Sequence, residues 1–131
     1  MDPANLFEPG EPMPEEVTTV LYESATTRVE QIISWGQATA ESFWYDQAED
    51  EWLILLKGRA VLRYDDGSLI ALRKGKPHLI PAHARHQVAA TTAPTIWLCV
   101  FSKISEAYTN ACVRTHRPLR RRFAYRASQN I

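Results

Sequence analysis

The sequence predicts an all-β domain in which short antiparallel strands form a sandwich or barrel. Short runs rich in β-branched and apolar residues follow one another from residue 17 to residue 101, and such runs favour strands. Turn residues separate the runs at intervals of about eight to twelve residues, as is typical of all-β sandwiches and barrels. No stretch before residue 102 has the apolar period of a helix.

The first sixteen residues do not share this pattern. They contain Gly10 and four prolines, at positions 3, 9, 12 and 14. Proline lacks a backbone N–H and fixes φ, so a segment this rich in proline forms neither a helix nor a central strand. We therefore expect residues 1–16 to be an irregular arm. Two strand-like segments rich in β-branched residues follow it, at 17–22 and 26–33.

The central strands are marked by apolar runs and by the turns between them. Residues 51–56 are almost continuously apolar and end at Lys57-Gly58. Asp65-Asp66-Gly67 separates two strand-like runs, and an Asp-Gly pair there is a strong hairpin signal because glycine adopts positive φ. Further turns are expected at residues 74–77 and 91–94. The predicted strands from residue 51 onward are 51–56, 59–64, 68–72, 78–81, 86–89 and 95–101.

The chain changes character again after Ser102, which gives a predicted barrel of residues 17–102 and a basic tail of residues 103–131. Residues 104–113 are compatible with a short helix with Ser105 as its N-cap. We expect the remainder of the tail to be peripheral and poorly ordered. The arginines at 120–122, with Phe123 and Tyr125, offer charge and stacking surface for nucleic acid. A short terminal charge cluster is more often a solvated tail, so nucleic acid is not an expected partner.

The composition is that of an ordinary globular protein. Lys plus Arg and Asp plus Glu both number 15, so net charge indicates neither a nucleic acid nor a membrane surface as partner. Cys99 lies in an apolar run and is expected to be a buried thiol, and two cysteines do not make a disulfide framework. Neither a secretory signal nor an apolar run long enough for a bilayer is visible, which predicts a cytoplasmic protein.

Two segments carry glycines, a glutamate and a histidine at characteristic spacings. In the first, Gly36 precedes Glu51, and Gly58 follows the strand that Glu51 begins. In the second, Gly75 precedes Pro81 and His86. These segments resemble the two paired motifs of the cupin family, and the resemblance covers about residues 28–101.

The resemblance implies a fold, a site and a partner. The fold is a small antiparallel double-stranded β-helix, or jelly-roll barrel, similar to that of small single-domain cupins. The site lies inside the barrel and binds a small polar molecule, with Glu51 and His86 at the metal-ligand positions of the family motifs. Chemistry of the isomerase, lyase or dioxygenase type is implied by the same likeness. A homodimer is expected because small cupins often pair through exposed strand edges.

The residues themselves give Glu51 a chemical role. Alternate side chains of a barrel strand point inward, so Glu51 is expected to share its face with Leu53 and Leu55. A carboxyl group among leucines needs a partner, a metal or a proton. If the barrel closes as in cupins, His86 is the expected neighbour. The pair could hold a metal, act as general acid and base, or merely satisfy itself.

The sequence departs from the metal-binding cupin pattern before Glu51. Metal-binding members carry two histidines there, one residue apart, whereas this chain offers Trp44 and Asp46, or Tyr45 and Gln47. A divalent metal, one of Zn²⁺, Mn²⁺, Fe²⁺ or Ni²⁺, could still bind Glu51 and His86. His83, Asp46 or Gln47 would complete that mixed nitrogen and oxygen set.

Several of these residues also have simpler interpretations. His83 stands where the motif usually has glycine, and histidine is enriched at positive φ, which favours turn geometry over ligation. His78 is interpreted as a surface or rim residue. Trp44 and Trp97 are candidates for the wall of a ligand pocket. Trp52 alternates with Glu51 and is expected to pack in the protein core.

Two function hypotheses follow. In the first, the protein binds a small polar molecule in the barrel, with or without a divalent metal, and Glu51 and His86 convert it. The secondary candidates are Trp44, Asp46, Gln47, Trp97 and His83. In the second, the protein is a ligand-binding or sensor module that recognises the molecule without chemistry. Replacing Glu51 with glutamine separates them, because turnover should collapse in the first and only affinity should change in the second.

Overall fold

The computed structural model describes residues 5–103 of the chain, and within them the regular structure consists of strands. No helix that could span a membrane is found in this part of the chain. The eight strands of residues 5–103 are β1 (Val17–Glu23), β2 (Thr27–Ser34), β3 (Asp50–Lys57), β4 (Arg59–Tyr64), β5 (Leu69–Arg73), β6 (His78–Ile80), β7 (His86–Thr91) and β8 (Thr95–Ser102). The helix considered at 104–113, Cys112 and the arginine-rich tail lie outside the described residues.

The strands form two sheets that face each other. The larger sheet has the order β1-β2-β8-β3-β6 and the smaller one the order β5-β4-β7, and every pairing of these strands is antiparallel. Strands that are distant in sequence are therefore neighbours in space, as in a jelly roll. The prediction of an all-β antiparallel jelly-roll barrel is confirmed.

The turns behave as their residue types predict. Gly67 has φ +89° and its N–H donates to the carbonyl oxygen of Tyr64 at 2.9 Å, which confirms the Asp-Gly hairpin between β4 and β5. Gly58, between β3 and β4, has φ +82°. A Cβ atom at position 58 would lie 2.5 Å from the carbonyl oxygen of Pro94. The close approach of the β7–β8 turn therefore also requires glycine at position 58.

The core lies between the two sheets and is built from inward-facing side chains that largely alternate along the strands. In β3, Glu51, Leu53 and Leu55 are buried, while Trp52 points outward and is 40% exposed. The expectation that Trp52 packs in the core is wrong, although its predicted side of the strand is right. The buried hydrophobic cluster comprises Leu53, Leu55, Ala60, Leu62, Tyr64, Ile70, Leu72, Ile80, Trp97, Cys99 and Phe101.

His78 is a core residue and not the rim residue that the sequence suggested. It is 1% exposed, and its Nε2 lies 2.8 Å from the hydroxyl oxygen of Tyr64. The physical reason is its register, because His78 lies opposite Leu53 and shares the inner face of the sheet with Ile80. The imidazole can be buried there because the Tyr64 hydroxyl bonds its Nε2.

The outer face of the larger sheet is apolar. Trp52 shares this face with Ile54, Leu98 and Val100, which alternate with the buried side chains of β3 and β8. The last three are only partly buried. The irregular arm crosses the same sheet nearer β1, where the side-chain amide of Gln31 donates to the carbonyl oxygen of Leu6 at 3.0 Å.

Candidate functional site

A cavity of about 240 Å³ opens between the two sheets. Its apolar floor is made of core residues such as Leu53, Leu62 and Ile80. The cavity is smaller than the roughly 300–1,000 Å³ pockets that hold drug-sized ligands, so it suits a small molecule. Its polar lining consists of Glu16, Thr18, Glu30, Gln47, Glu51 and His86. Glu51 and His86 thus face the same cavity, as the sequence predicted.

Glu51 begins the buried face of β3 and is 7% exposed. The side-chain amide of Gln47 donates to its Oε1 at 3.3 Å. Burial raises the pKa of the Glu51 carboxyl from 4.5 to about 7, although hydrogen bonds from Gln47 and the Cys99 thiol oppose the rise. The charged form is disfavoured because little water reaches the carboxylate to solvate it. A substantial fraction of Glu51 is therefore protonated at neutral pH.

His86 begins β7 and is 3% exposed. Its Nδ1 donates to the carbonyl oxygen of Ala84 at 2.7 Å. Since a carbonyl can only accept, this bond fixes the proton of the neutral ring on Nδ1 and leaves the lone pair on Nε2. Burial lowers the pKa of His86, and the bond to Ala84 only partly opposes this. His86 is therefore a neutral base at physiological pH.

Tyr45 holds the imidazole of His86 in place. The two residues form an antiparallel bridge, with Tyr45 N–H donating to His86 oxygen at 2.8 Å and His86 N–H donating to Tyr45 oxygen at 3.1 Å. Their rings stack with centroids 5.4 Å apart. Tyr45 itself lines the cavity. The bridge therefore decides which side chains of the segment before β3 reach the site.

Alternation around this bridge divides the predicted ligand residues. Gln47 lines the cavity, as does Trp97, which β8 supplies. Asp46 points away and accepts a hydrogen bond from Nδ1 of His83 at 2.7 Å, on the exposed side of the loop. Trp44 lies outside the cavity, where its ring faces the guanidinium of Arg85 at 5.7 Å. The placement does not support a ligand-binding role for Trp44 or Asp46.

His83 serves the turn before β7. Its φ is +64°, and its N–H donates to the carbonyl oxygen of Gln47 at 2.6 Å. Its side chain is 69% exposed and does not line the cavity. The turn interpretation of the sequence is confirmed, and the placement does not support His83 as a metal ligand.

Sequence reasoning missed two carboxylates and a buried pair. Glu16 and Glu30 line the cavity, and the alternation of Glu30 with Val29 and Gln31 was the only available signal for the latter. Behind the cavity, the bonded pair of Tyr64 and His78 lies next to His86. Burial, and then the charge of His86, lower the pKa of His78 to about 4.

The cavity has few groups that could hold a divalent metal, which cupin-type barrels commonly bind. Among residues 5–103 no group of three or more His, Cys, Asp or Glu side chains is arranged to bind a metal ion. Glu51 and His86 are the two predicted ligands that face the cavity, and His83 is engaged with Asp46 outside it. These residues do not fit the usual centre with three protein ligands.

The family model of the cupin domain matches residues 30–101, more than half of the chain. The chain is a cupin. Its solved relatives include a "putative mannose-6-phosphate isomerase" from Ralstonia eutropha JMP134. That protein is 36% identical, with a TM-score of 0.72 over 79% of this chain and 99% of that one.

More distant cupins share the fold. A cupin superfamily protein from Desulfitobacterium hafniense DCB-2 is 18% identical, with a TM-score of 0.62 over 71% of this chain and 82% of that one. A cupin 2 conserved barrel domain protein from Leptotrichia buccalis is 20% identical, with a TM-score of 0.62 over 71% of this chain and 43% of that one. No functionally curated protein shows significant similarity to this cupin.

Proposed function

We propose that this cupin binds a small polar molecule in the cavity between its sheets and catalyses a proton transfer within that molecule. Glu51 is the general acid and His86 the general base. The observation that carries the proposal is that Glu51 and His86 line the same cavity and that burial favours the uncharged form of each. The pKa of Glu51 is raised to about 7 and that of His86 is lowered, which is how acid and base roles are assigned to two neighbouring groups.

The chemistry follows from the protonation states. Nε2 of His86 has the lone pair that removes a proton from carbon next to a carbonyl group. The protonated carboxyl of Glu51 gives its proton to the carbonyl oxygen, so that an enediol forms. The Glu51 carboxylate then takes the proton of the neighbouring hydroxyl while protonated His86 gives its proton to the former carbonyl carbon, which returns both residues to their starting states. Aldose–ketose isomerisation is a reaction of this class, and the Ralstonia eutropha relative is named for such an activity.

Two neighbours position the reacting groups. Gln47 donates to Glu51 Oε1 and leaves the other carboxyl oxygen to carry the proton. Tyr45 stacks on His86 and bridges its backbone, while the carbonyl of Ala84 keeps the ring in one tautomer. Ordered groups of this kind reduce the reorganisation needed in the transition state.

The experiment that tests the proposal is hydrogen exchange in D₂O, followed by NMR, on a panel of small hydroxy-aldehydes and hydroxy-ketones that includes mannose 6-phosphate. The wild type should incorporate deuterium next to the carbonyl. Glu51→Gln and His86→Gln should each lower the rate about 10²- to 10⁴-fold, the usual contribution of a general acid or base. Asp46→Asn, a similar change outside the cavity, should leave the rate unchanged.

Unchanged exchange in Glu51→Gln would refute the role of Glu51, whereas ligand binding without exchange in the wild type would instead support a binding or sensor module. Elemental analysis of the same preparations decides whether Zn²⁺, Mn²⁺, Fe²⁺ or Ni²⁺ takes part. Near-stoichiometric metal that is lost in both the Glu51 and His86 variants would replace the acid–base proposal with a metal centre of unusual ligands.

A further inference from the structure

Carboxyl groups dominate the ionisable side chains that line the cavity. Among the described residues, Glu16, Glu30 and Glu51 line it and no lysine or arginine does. Arg28, which bonds to Glu30 of this lining, is held by two carboxylates, with Nε 2.6 Å from Glu30 Oε2 and Nη1 3.1 Å from Glu49 Oε2. The positive charge of Arg28 is therefore more than balanced before any ligand enters.

A hydrogen-bond chain fixes one of these carboxylates at the cavity. The hydroxyl of Ser34 donates to Oε2 of Glu16, and the indole N–H of Trp97 donates to Oγ of Ser34 at 3.0 Å. Ser34 is fully buried and Trp97 is 4% exposed. Buried polar groups of the barrel thus hold a side chain that would otherwise extend from the irregular arm into solvent.

Aromatic rings complete the lining. Tyr45, Trp97 and Phe101 contribute to the wall, and such rings attract cations through the negative charge of their faces. The guanidinium of Arg28 already lies 4.3 Å from the ring centroid of Phe101. Burial, and after it the charges of Glu16 and Glu51, raise the pKa of the Tyr45 hydroxyl, so these carboxylates act across the cavity on its aromatic wall.

We infer that the molecule bound by this cavity carries a cationic nitrogen, which is seated against the carboxylates of Glu16 and Glu30 and the indole of Trp97. The inference rests on the proposed function for the reacting end, which lies at Glu51 and His86. A cavity with low-dielectric walls and charges of one sign concentrates ligands of the opposite sign. It also disfavours a phosphate monoester, so the substrate of this chain differs in charge from mannose 6-phosphate.

The test compares two probes of the same shape, choline and its uncharged analogue 3,3-dimethyl-1-butanol, by NMR titration of the isotope-labelled full-length protein. Choline should bind at least about tenfold more tightly than the alcohol. Glu16→Gln should reduce that preference severalfold and leave the affinity for the alcohol unchanged. Glu23→Gln, which removes an exposed carboxylate of β1 outside the cavity, is the matched control and should behave as the wild type.

Equal affinity for the two probes, tighter binding of the alcohol, or no binding of choline would overturn the inference. Its failure is separable from that of the proposed function. Wild-type exchange on mannose 6-phosphate that depends on Glu51 would refute the cationic ligand and support the acid–base pair. Choline selectivity together with exchange that Glu51→Gln does not affect would support the cationic ligand and refute the acid–base pair.

Discussion

Replacing Glu51 with glutamine should stabilise the protein much more at pH 8 than at pH 5. The side chain is 7% exposed and lies on the leucine-rich face of β3, where ionisation is disfavoured. Glutamine has nearly the same shape as the protonated acid and cannot ionise. The variant therefore removes the unfavourable burial of a charge while it retains the packing.

The magnitude follows from the pKa of Glu51, which is about 7 in the folded protein against an ordinary value of 4.5. Between these values the folded state binds more protons than the unfolded state, so the free energy of unfolding falls as pH rises from about 4.5 to about 7. Each pKa unit corresponds to about 1.4 kcal/mol. Above pH 7 the free energy of unfolding of the wild type is therefore lower by about 3 kcal/mol, a loss that Glu51→Gln does not suffer.

Urea denaturation at pH 5 and pH 8, followed by tryptophan fluorescence, measures the effect. The difference between the variant and the wild type should be about 1 kcal/mol at pH 5 and reach about 3 kcal/mol at pH 8. Glu23→Gln, at an exposed position, serves as the control and should show no such dependence. Equal destabilisation of Glu51→Gln at both pH values would show that folding does not shift the pKa of Glu51, and would refute the reasoning.

Three further predictions concern the rest of the barrel. In Glu51→Gln, where the opposing effect of Glu51 is absent, stability should fall as pH drops from about 6.5 towards 4, because burial holds the pKa of His78 near 4 and opposes its protonation; a flat acid limb in the denaturation curves of that variant would contradict this. His83→Gly should retain wild-type stability within about 1 kcal/mol, whereas His83→Val should lose about 1–3 kcal/mol more at φ +64°; thermal unfolding that ranks them in reverse would be inconsistent. We propose that two copies pair through the apolar outer face, so Trp52→Glu should convert a dimer to a monomer in light scattering, and a dimeric variant would exclude this face.

The strands could be predicted because each depends on local information. Apolar alternation and turn residues determine where β3 to β8 begin and end, and the hairpin at Gly67 needs only the positive φ that glycine permits. The burial of Glu51 follows from the same alternation, since one inward leucine at position 53 fixes the face of the whole strand. Its placement in one cavity with His86 required the motif resemblance, because the two residues are 35 positions apart in the sequence.

The loop before β3 could not be predicted in the same way. Residues 37–49 have no continuous period, and the inward or outward direction of Trp44, Asp46 and Gln47 depends on the bridge between Tyr45 and His86. That bridge joins segments distant in sequence, so neither segment alone shows it. The burial of His78 has the same origin, because it depends on register with β3 and not on the polarity of its own strand.

The carboxylates at the cavity mouth required knowledge of which strands are neighbours. Glu30 lies opposite Cys99 across the β2–β8 pair, and Glu16 reaches the site only because Ser34 and Trp97 lie side by side on the same sheet. A sequence pattern reports the face of a strand but not its lateral partner. The charge of the cavity, which selects the ligand, was therefore less accessible to sequence reasoning than the fold.

Stability and chemistry make opposite demands on Glu51. A leucine-like side chain at this position would serve the barrel better, since about 3 kcal/mol is lost when the carboxyl ionises. The same desolvation gives the acid a pKa near 7, which is the property that general acid catalysis at neutral pH requires. A Glu51→Gln protein that is more stable at pH 8 and inactive would link the two effects to one buried carboxyl. A variant that is more stable and fully active would leave its burial without a catalytic reason, because the unfavourable energy would then serve neither the fold nor the reaction.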